Sequence, residues 1–239
     1  MLRAISYIPI LTTIVAAFFA GAIFRRYAER GGRHLLWWGI GMVCYGVGTL
    51  TESVTTVFGW QEPIFRSWYI TGALLGGAPL AQGTAYLLLR KELADRLAVV
   101  LVTVILVASA CVAIAPIDYA QVEAHRLTGR IFEWQWVRAF SPFINLYAAS
   151  FLIGGAIVSA VRYRRVPSGG RRAAGNALIA LGALLPGIGG SFTRFGYTEV
   201  LYVTEFVGLL TIYSGYRLNT TARWPPAHRI AAAHSRLRA

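Results

Sequence analysis

An all-α bundle that crosses a bilayer seven times is the fold class this sequence predicts. Three observations predict it: seven long apolar stretches, a scarcity of charge, and arginine clusters that fall on every second connection. Of 239 residues, 56% are hydrophobic and only 14% charged, with a mean hydropathy of +0.54. Soluble domains carry roughly 25% charged residues; a soluble chain of this length would need a charged shell that this one lacks. The formal charge of +13 would suggest nucleic acid if it formed one basic face. Here the arginines sit in short runs between apolar segments, so membrane topology explains them and no nucleic-acid partner is expected.

A spanning helix needs about 20 apolar residues at 1.5 Å rise, because the hydrocarbon core is roughly 30 Å thick. The first candidate, Tyr7–Phe24, has only Arg3 ahead of it and Arg25 and Arg26 behind. That order reverses a signal peptide, so a retained helix is expected. Leu35–Phe58, Trp68–Leu89, Leu97–Pro116, Arg138–Val161, Ala174–Thr193 and Val200–Leu218 follow. Backbone groups in lipid must be satisfied within the segment, which makes these helices; the strict alternation of a barrel strand is absent.

Basic residues then orient the bundle. Of the 23 lysines and arginines, 17 fall after the first, third, fifth and seventh spans and 6 on the opposite side. The positive-inside rule puts the N-terminus outside and the C-terminus in the cytoplasm. Residues 1–218 are read as the transmembrane domain and 219–239 as a short basic tail broken at Pro225–Pro226, too small for an output domain. The sizeable outer loop, Ile117–Val137, has mixed charge, and its Phe132, Trp134 and Trp136 suit an amphipathic turn at the interface.

Charged groups inside spans are costly and are functional hypotheses by default. Four stand out: Glu52, Glu205, Arg138 and Arg194. Glu52 lies 17 residues beyond Leu35, roughly 25 Å along the helix, so all four fall in the outer half, where opposite signs can pair. Tyr45, Thr49, Glu52 and Thr56 form one polar stripe on the second helix. Thr198, Tyr202 and Glu205 share a face of the seventh, Arg138, Ser141 and Asn145 one of the fifth, and Gln82 faces in from the third with Trp68, Thr71 and Tyr86. Glu52, Glu205, Arg138, Arg194, Tyr202, Asn145 and Gln82 are the expected lining of a ligand or ion pocket. The competing reading is that Glu–Arg pairs only hold helices together.

Glycine and proline speak to packing. Gly72 and Gly76 make a small-xxx-small step, the sixth span carries Gly182, Gly187, Gly189 and Gly190, and Pro79 and Pro186 are expected to kink their helices. Signatures of catalysis are absent: Lys91, the one lysine, lies in a cytoplasmic connection, and all four histidines lie outside the spans. No metal or cofactor is expected, and Cys44 and Cys111 are read as small apolar fillers. The cytoplasmic arginines suit anionic lipid headgroups.

The second and third spans, LLWWGIGMVCYGVGTLTES and WYITGALLGGAPLAQGTAYLLL, resemble bacterial seven-helix membrane sensor regions, which precede cytoplasmic output domains in some histidine kinases. The resemblance rests on topology and on the texture of these two segments, and no residue of known role carries over. It implies a receptor-like, sensory function in the cell membrane, signalling through a separate partner protein. A proton- or ion-coupled transporter and an accessory subunit of a membrane complex are the alternatives.

Overall fold

The computed structural model describes residues 4–193 and 195–221. They form helices throughout, and their β-type contact is an isolated antiparallel bridge between Ile117 and Phe132. A 3-10 turn at Ala4–Tyr7 leads into α1 (Ile8–Arg30), which connects through Gly31 and Gly32 to α2 (Arg33–Phe58). Both glycines take positive φ, 63° and 103°, a conformation that L side chains resist.

The third predicted span is interrupted. A short α3 (Glu62–Trp68) runs into a π-helical stretch, Tyr69–Leu74, and the chain bends at Gly76 and Gly77 before restarting as α4 (Ala78–Leu88). Pro79 therefore does not kink a helix as expected. It sits in the first turn of a new one, where its missing N–H removes no intrahelical bond. The break frees the Ala73 carbonyl, and Ser141 and Asn145 donate to it at 3.1 and 3.3 Å. Re-satisfying a freed carbonyl in this way makes an interrupted helix tolerable in a dry environment.

The remaining elements are α5 (Lys91–Ile114), α6 (Phe140–Ala149), α7 (Gly155–Arg164), α8 (Gly170–Thr193) and α9 (Thr198–Thr221). A π-helical stretch at Ser150–Gly154 joins α6 to α7. The proline expected to bend the sixth span, Pro186, lies inside α8, which continues as one helix across it.

Among the described residues, four helical segments are long and apolar enough to cross a bilayer: Ala4–Arg30, Lys91–Ile114, Gln135–Arg164 and Gly170–Thr193. They turn large apolar side chains outward, with Phe18 77% and Phe143 73% exposed, as a lipid-facing surface does. Helix α2 spans 26 residues, but its polar residues are turned inward: Thr49, Thr51, Glu52, Ser53, Thr55 and Thr56 are all buried. Some of these hydroxyls bond carbonyls of the preceding turn. Others bridge to the N-terminal segment: Thr49 and Thr13 share a bond of 2.9 Å, and Thr56 donates to the Ser6 carbonyl.

Helices α8 and α9 pack through glycines seven residues apart. Gly175, Gly182 and Gly189 on α8 meet Gly215, Gly208 and Leu201 on the antiparallel α9. A Cβ on Gly182 would stand 2.6 Å from the Gly208 carbonyl oxygen. Backbones this close gain their contact energy from small residues.

The connections gather at two ends. Arg33 at the start of α2 pairs with Asp95 of α5, while Arg171 at the start of α8 donates to Thr221 at the end of α9. At the other end, Trp60 N–H bonds the Ala124 carbonyl at 2.7 Å and Arg126 reaches the Thr193 carbonyl. The loop at that end departs from the expected interfacial turn. Phe132 is buried against Phe65 and Tyr69, with ring centroids 5.0 Å from each, so it closes the end of the bundle. Trp134 and Trp136 are exposed and stacked.

Candidate functional site

A cavity of about 780 Å³ opens between α2, the interrupted α3–α4 segment, α6, α8 and α9. Its space comes from small residues: Gly72, Gly76 and Gly77 at the helix break and Gly187 and Gly190 on α8 face it, and the last two have nothing within 4 Å of a would-be Cβ. Met42, Leu80 and Leu209 form an apolar wall, and Arg126, Arg130 and Arg138 stand at the loop end. Between them lie Glu52 and Glu205.

Glu52 is 4% exposed. Its Oε1 accepts a hydrogen bond of 3.0 Å from the Trp68 indole N–H, and its Oε2 is buried without a partner. Glu205, half-buried on α9, also has a buried, partnerless Oε2. The two side chains lie within hydrogen-bonding reach of each other. Tyr45 completes the arrangement by donating to the backbone carbonyl of Glu205 at 3.0 Å. Carboxylates offer acceptors only, so contact between two of them requires a proton or a cation, and like charges in a low dielectric cannot both ionise unaided.

This differs from the expected Glu–Arg pairing. Neither acid is in an ion pair among the described residues. Arg138, half-buried, donates to Gln135 at 2.5 Å, and Arg126 pairs with Glu123 at 2.8 Å. Arg194 lies outside the described residues. Both described arginines find acceptors close in sequence, Gln135 and Glu123, at the loop end.

Of the other expected lining residues, Asn145 and Arg138 stand on the cavity wall, but Gln82 and Tyr202 do not. Gln82 is fully buried: its amide donates to the Ala94 carbonyl at 2.8 Å and accepts from the Tyr147 hydroxyl at 2.5 Å. It ties α4 to α5 and α6. Tyr202 is buried beside the acids. Sequence reasoning missed Arg126 and Arg130 as wall residues, because loop folding rather than helical spacing brings them there. Trp68 was placed on an inward face, but its bond to Glu52 had no signal in the sequence.

A second polar cluster braces the loop end. Arg66 donates to the Val112 and Ala115 carbonyls at the end of α5, at 2.5 and 3.0 Å, where a helix leaves carbonyls unpaired and carries partial negative charge. Glu62 holds Arg66 at 2.7 Å and accepts from Tyr119 at 2.5 Å. The Tyr119 hydroxyl, and then Arg66, hold the Glu62 carboxyl below its ordinary range. Among the described residues no group of three or more His, Cys, Asp or Glu side chains is placed to hold a metal.

No protein-family model, curated protein or solved structure matches this chain.

Proposed function

We propose that the chain is a seven-span protein of the cell membrane, N-terminus outside and C-terminus cytoplasmic. It acts as a receptor-like sensor that binds a small ligand in the outer half of the bundle. The single observation that carries this reading is the cavity of about 780 Å³ with a buried carboxyl whose Oε2 has no partner. Ligand pockets run to about 300–1,000 Å³ and combine apolar walls with a few converging polar groups. The arginine asymmetry supports the orientation. A ligand wedged between α2 and α9 shifts those helices against each other, and the shift reaches the basic connections, where a separate partner protein reads it.

The test is ligand-induced stabilisation of the full chain in lipid nanodiscs against a panel of small metabolites. Gly187→Phe, which places a ring in the cavity, serves as the comparison. A stabilising compound whose effect G187F removes supports the reading. A panel without effect, or effects that G187F leaves intact, overturns it.

The interrupted α3–α4 segment favours a second reading, a carrier. Transporters break helices at their substrate sites, and here the break at Gly76–Gly77 lies on the cavity wall. A carrier moves the stabilising compound across proteoliposomes; a sensor binds it without flux.

A further inference from the structure

Glu52 and Glu205, in contact with each other, both line the cavity. The donors around them are already committed. The Trp68 indole N–H is taken by Glu52 Oε1, and the Tyr45 hydroxyl by the Glu205 backbone carbonyl. The groups facing the pair are Tyr45 on α2, Tyr202 on α9 and Trp68 on α3, with Glu199 and Arg126 further off and Arg130 and Arg138 on the same cavity wall. Arg126 is held by Glu123 and the Thr193 carbonyl, and Arg138 by Gln135. Neither Oε2 has a hydrogen-bond partner, so each is a buried acceptor left unsatisfied in a residue that lines the cavity.

We infer that the Glu52–Glu205 pair is a proton-loaded receptor for the cationic nitrogen of an organic amine. The inference rests on the ligand-cavity reading above and names that ligand's class. With the cavity empty, one proton lies between the carboxyls and the pair carries a single negative charge. The ammonium enters, donates N–H to both carboxylates, and the shared proton leaves to solvent; charge and atoms balance, with one proton released for each amine bound.

Three observations select an organic ammonium over a metal ion. A calcium site takes six to eight oxygens, whereas the described residues hold no cluster of three ionisable ligands. The walls beside the acids are aromatic, with Tyr45, Trp68 and Tyr69 all lining the cavity, and aromatic faces attract organic cations. The remaining space is bounded by Met42, Leu80 and Leu209, which suits an apolar body attached to the nitrogen.

Phenethylamine, its neutral isostere phenethyl alcohol and its anionic counterpart phenylpropionate test the inference by titration calorimetry on the full chain in nanodiscs. Two buffers of different protonation enthalpy at one pH count the protons. The expected result is that the amine binds about tenfold or more tightly than the other two, the size of one charge-assisted hydrogen bond, with about one proton released. E52Q and E205Q each remove that preference and the proton release. Because proton release is read on the unmodified protein, the test holds even where a variant fails to fold. Amine and alcohol binding alike, with G187F abolishing both, overturns the ammonium site and leaves the cavity reading standing. Amine binding without proton release overturns the proton-loaded pair. If none of the three binds, the ammonium site is overturned, and the cavity reading is decided separately by the metabolite panel.

Discussion

Glu52 of α2 and Glu205 of α9 meet carboxyl to carboxyl, each with one oxygen that no donor reaches. A pair of this kind is stable only with a positive charge or a proton between its members, since two ionised carboxylates at contact repel strongly in a poorly solvated setting. The contact therefore joins α2 to α9 through whatever proton or cation the pair holds.

Replacing one acid by its amide tests the protonation state directly. Glutamine supplies the N–H that the shared proton otherwise provides, and it removes the need to keep a buried carboxyl charged. E52Q and E205Q are expected to leave the unfolding temperature near neutral pH unchanged, or to raise stability by up to about 1 kcal/mol, the typical net value of a hydrogen bond. A pair that is ionised and held by a cation gives the opposite sign, a loss of about 3 kcal/mol or more, as when one partner of a buried ion pair is removed.

The Glu62–Tyr119–Arg66 clamp predicts an acid limb in stability. Glu62 has its carboxyl held low in the folded protein, first by Tyr119 and then by Arg66. Its contribution is thus fully present above the ordinary glutamate value of about 4.3 and is lost as pH falls through the lower folded value. Unfolding temperatures recorded through that window should fall with pH in the native protein. E62Q should flatten that segment and Y119F should move it upward in pH; a slope that E62Q does not alter removes the clamp from the account.

The seam between α8 and α9 predicts a steric threshold. At Gly182 a Cβ would stand 2.6 Å from a backbone oxygen, which cannot swing away as a side chain does. G182A is expected to destabilise by about 1–3 kcal/mol, the range for overpacking. G21A on α1, where nothing lies within 4 Å, is expected to stabilise by about 0.5–1 kcal/mol, because alanine is the better helix former. A gain at Gly182 like that at Gly21 would mean that helix propensity decides at both positions and that the seam is not sterically closed.

The sequence made the helices legible because apolar length and arginine placement are one-dimensional signals. The expected segments are helical apart from the interruption of the third, with boundaries shifted by a few residues where polar residues such as Lys91 and Arg164 extend a helix beyond its apolar part. The interruption at Gly76–Gly77 was not legible as a break: glycine and proline marked the place, but tertiary donors, Ser141 and Asn145, decide whether a chain can stop and restart there. The stripe of Tyr45, Thr49, Glu52 and Thr56 was legible because helical spacing fixes a face. What that face meets was not. Thr49 and Thr56 turned out to bind the N-terminal segment, and Glu52 found a second acid in place of an arginine.

Gln82 gives the sharpest contrast between a polar residue that lines a site and one that builds the wall behind it. Its amide joins three helices: it donates to the Ala94 carbonyl of α5 and accepts from the Tyr147 hydroxyl of α6. The Ala94 carbonyl sits within α5 and keeps its helical bond when Gln82 is lost, whereas the Tyr147 hydroxyl loses its acceptor. Q82L should therefore cost about 1–3 kcal/mol for one buried donor left unsatisfied. Y147F in the same background should recover part of that loss, with a coupling near the 0.6 kcal/mol average for polar links between membrane helices. Ligand affinity should be untouched by Q82L, because the residue does not stand on the cavity wall. Unfolding measurements on the two single variants and the double give the coupling, and the calorimetric titration gives the affinity. A drop in affinity with no loss of stability would return Gln82 to the binding site.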